Sequence, residues 1–214
     1  SIIVAPPAIF LRELRTGYRG KKLAFAVQNA NAETSGAFTG EISIAQAHDA
    51  GVSFALVGHS ERRAFGETND DTRKKVSAAL TSKIIPILCV GETDRASSGE
   101  HYNLIGEQLR VWLVDVAPTN IQKVFIAYEP VWAIGGEITM SPRDVHSMVI
   151  FIKKTIVGIY GPIGHKVKIL YGASVGEKNA PEMMREGGVN GLLVGHVSTN
   201  TERFVALIKS ISTV

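Results

Sequence analysis

The chain has 214 residues, 45% hydrophobic and 20% charged, with a formal net charge of +3; this is a folding composition and excludes a disordered chain. A single cysteine, Cys89, cannot close an internal disulfide, which excludes a disulfide-stapled secreted scaffold and favours a reducing, cytoplasmic compartment. The 23 basic and 20 acidic residues are dispersed, so nucleic acid is not an expected partner, and no apolar run approaches the ~18 residues of a membrane span.

Short aliphatic runs alternate with longer amphipathic stretches. Strands are expected at Ile2–Ala5, Leu23–Val27, Phe54–Val57, Ile84–Val90, Val124–Tyr128, Val167–Tyr171 and Gly191–Val194. Most are apolar on both faces, as strands between a core and a helical layer must be. Helices are expected at Asp70–Thr81, which opens on acidic residues, and at His101–Asp115, where Leu104, Ile105, Gln108, Leu109 and Trp112 recur at helical spacing. Ser141-Pro142-Arg143-Asp144 reads as an N-cap, a proline at the first position and an acidic third residue, leading a helix to Ile156. Glu202–Ile211 closes the chain.

Strict β-α alternation predicts a parallel sheet, and no linker divides the chain, so one domain over 1–214 is expected. Neither a G-x-G-x-x-G fingerprint nor a P-loop is present. A (β/α)8 barrel takes about 31 residues per unit. Seven strands in 214 residues fit that spacing, so the expected fold is α/β: a TIM (β/α)8 barrel whose first βα unit is not in this chain. The chain opens on Ser1 rather than Met and enters a strand at once, which points to a missing upstream segment.

Barrel chemistry sits at the C-terminal ends of strands. After Phe54–Val57 comes Gly58-His59-Ser60-Glu61-Arg62-Arg63, a polar loop led by a histidine that is either structural or, near a helix N-terminus, a neutral hydrogen-bond donor. After Val124–Tyr128 comes Glu129-Pro130-Val131-Trp132-Ala133-Ile134-Gly135-Gly136. Glu129 is either a salt-bridged strand terminus or a general base. Pro130 stiffens the start of its loop, Trp132 offers a hinge surface and Gly135-Gly136 permit motion, the makings of a lid that excludes water. Gly172-Ala173-Ser174-Val175-Gly176 and Gly195-His196-Val197-Ser198 follow the last two strands and suit phosphate binding through backbone N–H groups.

These motifs, in order and each behind a strand, resemble the triosephosphate isomerase family. The resemblance covers the whole chain, from Ala5-Pro6-Pro7 to the last helix. Its most specific pieces are Val57 to Arg63, Ala127 to Gly135, Tyr171-Gly172-Ala173-Ser174-Val175 and Leu193-Val194-Gly195. The resemblance implies a homodimeric enzyme of glycolysis and gluconeogenesis that interconverts dihydroxyacetone phosphate and glyceraldehyde 3-phosphate, with no metal or organic cofactor. It implies Glu129 as base, neutral His59 as electrophile and Glu61 as a conformational or proton-handling partner. Gly135, Ser174, Gly195 and His196 would hold the substrate phosphate. Gln28-Asn29 with Gly36 to Glu41 resembles the loop that inserts into a neighbouring subunit.

The sequence also departs from the family pattern. The family's first strand, with its Asn-x-Lys motif, and first helix are missing, and position one matches the second strand. Arg15, Lys21 and Lys22 fall in or after the first helix here and cannot take that lysine's role. A chain with nothing upstream is therefore expected to be severely impaired and to expose sheet edges. His196 stands where the family has a second glycine, Ala173 replaces another, Gly136-Glu137 alters the far end of the lid, and Arg63 to Glu67 is one residue short. The buried Cys89 reads as packing. The alternatives are a non-catalytic phosphate-binding barrel and an isomerase or aldolase for another sugar phosphate.

Overall fold

The β-branched and aliphatic runs of the sequence form strands throughout the computed structural model, which describes residues 1–95, 98–135 and 139–212. Parallel strands alternate with helices, so the α/β class holds. The chain forms two compact units, Ser1–Cys89 with Arg110–Phe125, and Val90–Leu109 with Ile126–Val214.

The first unit carries β1 (Ile2–Val4), α1 (Ala8–Gly17), β2 (Leu23–Val27), α2 (Ile44–Asp49), β3 (Phe54–Val57), α3 (Ser60–Ala64), α4 (Asn69–Thr81) and β4 (Ile85–Val90). Its strands lie in chain order and all pair parallel, with Ile3 opposite Ala24, Val27 opposite Ala55 and Val57 opposite Leu88. Phe25, Val27, Ala55, Ile87 and Leu88 are buried, and Leu11, Ile44, Val76 and Ala79 bury the inner faces of the helices.

The second unit carries most of α5 (Glu100–Trp112), then β5 (Phe125–Tyr128), α6 (Pro142–Tyr160), β6 (Lys168–Gly172), α7 (Ala180–Glu186), β7 (Gly191–Leu193) and α8 (Thr201–Ile211). Here too the strands follow chain order, and β6 pairs parallel with β7, Gly172 opposite Leu193.

Several expectations need correction. The polar loop after His59 is the five-residue helix α3, because Ser60 to Ala64 hold no helix breaker and His59 caps them. The helix expected at His101–Asp115 ends at Trp112, and Leu104 is 41% exposed while Ile105, Leu109 and Trp112 are buried. The Ser141 cap is found as expected: its Oγ accepts the Asp144 N–H at 3.1 Å. The helix it starts continues past Ile156 to Tyr160, and with its following turn, Pro142–Lys166, it is long and apolar enough to cross a membrane by length and composition. Its buried residues, Val145, Met148, Val149, Ile152 and Ile156, form one stripe, while Arg143, Asp144, His146 and Lys154 are exposed. That is the pattern of a helix with one face on a core.

Candidate active site

In the first unit, β3 is followed by Gly58, whose φ of +71° and close neighbours favour glycine: an added Cβ would lie 3.0 Å from Thr72 Cγ2. His59 then caps α3, its Nδ1 accepting the Glu61 N–H at 3.3 Å. With Nδ1 engaged as an acceptor, Nε2 is the ring nitrogen left to donate. Glu61 itself is exposed in the first turn of α3.

The turn bearing His59 is held by a carboxylate that the sequence reading passed over. The Glu67 side chain is only 2% exposed and accepts the Gly58 N–H at 3.0 Å, the Thr72 hydroxyl at 3.1 Å and the Lys75 ammonium at 2.6 Å. Lys75 also donates to Asn29 Oδ1 at 2.8 Å, at the root of the loop resembling a subunit contact. That loop is closed at its neck, where the Asn31 N–H donates to Ile42 O and the Ile44 N–H to Asn31 O, and it leaves Phe38 45% exposed.

In the second unit, Glu129 follows β5 and is 4% exposed. Its N–H donates to Val90 O at 2.8 Å, and the Val131 N–H donates to Glu92 O at 2.9 Å. Its carboxyl end lies over Gly172, where an added Cβ would come within 3.2 Å of Glu129 Oε1. The loop beyond it starts with Pro130 and a 3-10 turn at Val131–Ala133. Gly135 has φ +69°, a left-handed conformation suited to glycine. Gly136 and Glu137, at the far end of the expected lid, lie outside the described residues.

Glu92, also passed over, is fully buried, and its Oε1 accepts both the Tyr128 hydroxyl and the Trp132 indole N–H at 2.9 Å. Burial, reinforced by the Glu92 charge and hydrogen bond, pushes the Tyr128 phenol well above the usual range and keeps it a donor. Burial also pushes the Tyr171 phenol up to about 12. A signal for Glu92 was present: Gly91-Glu92 stands at the C-terminal end of β4, the position that singled out His59 and Glu129 elsewhere.

The two candidate phosphate loops leave neighbouring strands at the same end, since Gly172 stands opposite Leu193. Ser174 Oγ donates to Ala133 O at 2.7 Å, joining the first loop to the segment after Glu129. Gly195 precedes a 3-10 turn at His196–Thr199, whose leading amides point away from their own turn. Lys83 is the one non-glycine with positive φ among the described residues, so His196 keeps an ordinary backbone and its N–H can replace that of a glycine. Among the described residues no three His, Cys, Asp or Glu side chains are grouped to hold a metal ion.

Arg203, in the first turn of α8, grips Glu177 beside the first loop through Nε at 2.9 Å and Nη2 at 3.2 Å. That hydrogen-bonded contact holds the Glu177 carboxyl down to about 2. A depressed carboxyl contributes stability above its unfolded value and loses it as pH falls through the folded one. The contribution is therefore full at neutral pH and disappears between the ordinary 4.5 and about 2. Replacing Arg203 with Ala returns the Glu177 titration, followed by carboxyl NMR, toward 4.5; an unmoved titration would rule out Arg203 as the cause.

The structure thus joins His59 to Glu61 in one unit, and Glu129, Ser174 and the loop of Gly195 and His196 in the other. The model of the family described as triosephosphate isomerase matches residues 1–211. The triosephosphate isomerase of Endomicrobium trichonymphae is 40% identical over 97% of this chain and 84% of its own length. Those of Roseiflexus sp. (strain RS-1) and Carboxydothermus hydrogenoformans are each 39% identical over 97% of this chain, covering 83% and 84% of their own lengths. On a family match that spans nearly the whole sequence and relatives of about 40% identity, this chain belongs to the triosephosphate isomerase family.

Proposed function

We propose that this chain interconverts dihydroxyacetone phosphate and D-glyceraldehyde 3-phosphate through an enediolate, in the cytoplasm. Glu129 takes the proton from the carbon next to the carbonyl and returns it to the neighbouring carbon. Neutral His59 donates Nε2–H to the carbonyl oxygen, and Glu61 assists in the same turn. This division of labour is the known chemistry of the family. Gly135, Ser174, Gly195 and His196 hold the phosphate.

The observation that carries this reading is the buried Glu129 carboxylate beside Gly172, two residues from Ser174. It combines a strand-end base with a candidate anion cradle in one unit. The test is incubation with dihydroxyacetone phosphate in D2O, following both the aldose product and deuterium entry at carbon by NMR. Turnover with deuterium incorporation supports the reading. Neither product nor exchange, with phosphate still bound, would mean a non-catalytic phosphate-binding barrel.

The same reading includes a homodimer formed through the loop from Gln28 to Glu41. Phe38 and Thr39 are exposed at its tip. Replacing either with arginine is expected to raise the dimer dissociation constant by about tenfold or more, the cost of a charge forced against an apolar surface. Sedimentation velocity across a dilution series measures it, and an unchanged dimer would refute this interface.

A further inference from the structure

Two residues distant from each other in sequence, Arg95 and Met140, meet beside the Tyr128–Glu92 pair. Arg95 Nη1 donates to the Met140 sulfur at 3.3 Å, and the same sulfur lies 3.7 Å from the Tyr128 hydroxyl oxygen. Met140 is 3% exposed. Tyr128 has a single hydroxyl proton, and a carboxylate outcompetes a thioether for it, so the proton goes to Glu92 at 2.9 Å and the sulfur backs the phenol oxygen from another side. Glu92 is anchored through one oxygen only: Oε1 takes both Tyr128 and Trp132, while Oε2 is buried without a hydrogen-bond partner. Its position therefore depends on whatever keeps Tyr128 and Trp132 in place.

Met140 is rigidly mounted for this task. The next residue, Ser141, caps the 19-residue helix α6, so the backbone at 140 is tied to a long element. Its flexible, polarizable side chain can follow the irregular space between a guanidinium and a phenol, which a branched aliphatic side chain fills less well.

We propose that Met140 is a positioning residue for the reaction: gripped by Arg95, its thioether backs the Tyr128 hydroxyl, which with Glu92 fixes the turn directly after Glu129. The proposal rests on Glu129 being the base. It assigns Met140 no contact with substrate.

The test uses Met140→Leu, which keeps the volume and loses the sulfur acceptor, and Met140→Ala, which loses both. The chain has two tryptophans, so indole 15N labelling gives one signal from Trp132, bonded to Glu92, and one from Trp112, bonded to Asn69 at 3.1 Å in the other unit. Both variants are expected to shift or broaden the Trp132 signal and leave that of Trp112 in place. Misplacement of about 1 Å remote from the chemistry can cost 10²-fold, so kcat per folded molecule is expected to fall about fivefold in the leucine variant and up to about 10²-fold in the alanine variant, with KM changing less than about twofold.

A residue that only filled space would lower the melting temperature and leave both kcat per folded molecule and the Trp132 signal unchanged, and that result would overturn the proposal. If the unsubstituted chain shows no isomerase activity, the functional reading fails, while the two indole signals still decide whether Met140 holds Tyr128 and Glu92.

Discussion

Replacing Glu129 with Gln is expected to lower kcat by about 10³- to 10⁴-fold, the upper range for a general base, with KM altered only a few-fold. The amide keeps the size of the carboxylate, and the backbone bond from the residue 129 N–H to Val90 O does not involve the side chain, so the fold stays intact. What is lost is the ability to accept a carbon-bound proton, which matters in the transition state and hardly in the substrate complex. Glu129→Asp separates position from chemistry: the carboxylate remains but retracts by about one bond length, and about 10²-fold of activity goes with it. Steady-state kinetics in both directions measures both variants. Near-normal turnover by the glutamine variant would remove Glu129 from the mechanism.

The second large effect is expected at Gly91, which carries no chemistry. A Cβ added there would lie 1.8 Å from the carbonyl oxygen of Glu129 and 2.7 Å from its carbonyl carbon. Neither partner can yield easily. Gly91 is clamped on both sides by Gln108, whose Oε1 accepts its N–H and whose Nε2 donates to its carbonyl, each at 3.0 Å. Glu129 is fixed by Val90, and Val131 by Glu92. Gly91→Ala therefore forces two backbones apart; overpacking of this kind costs about 3 kcal/mol or more. Because the displaced residue is the proposed base, kcat per folded molecule is expected to drop as well, by about 10²-fold. Gly158→Ala is the control. Nothing lies within 4 Å of its added Cβ, and it sits inside α6, so it should stabilise by about 0.5–1 kcal/mol. Urea unfolding of both variants compares them directly, and a Gly91→Ala variant as stable as the parent would contradict the close approach.

Much of this architecture was legible because buried parallel strands write themselves as short apolar runs. Leu23–Val27 and Phe54–Val57 are found with the bounds the sequence suggested. β6 is displaced by one residue, since Gly172 looks like a turn in sequence but pairs with Leu193 in the sheet. Short helices were harder. α2 has six residues, too few for periodicity, although Ser43 and Gln46 form the capping box that announces it. α7 has seven, with Pro181 as its second residue. Among the candidate residues, His59, Glu129 and the glycine-rich loops stand out in the sequence because each lies at or just past the end of a strand. Glu67 was not, since its role comes from the Gly58 amide nine residues earlier and Lys75 eight residues later. Met140 and Arg95 are 45 residues apart, and no local pattern brings them together.

The Glu67–Lys75 pair constrains how this sequence can change over generations. Removing Glu67 alone leaves the Lys75 ammonium without its carboxylate in a nearly dry site, which costs about 3–5 kcal/mol, whereas removing Lys75 alone leaves Glu67 only the more distant Arg62 Nε at 3.9 Å. Removing both avoids that cost but strands the Gly58 N–H, about 1–3 kcal/mol more for a buried donor without an acceptor. The dependence is thus one-way. Lys75 is kept because Glu67 is charged, and Glu67 is kept because the amide beneath His59 needs an oxygen. A lineage can trade the lysine for another cation in one step, whereas the glutamate can leave only together with a rebuilding of the turn it supports.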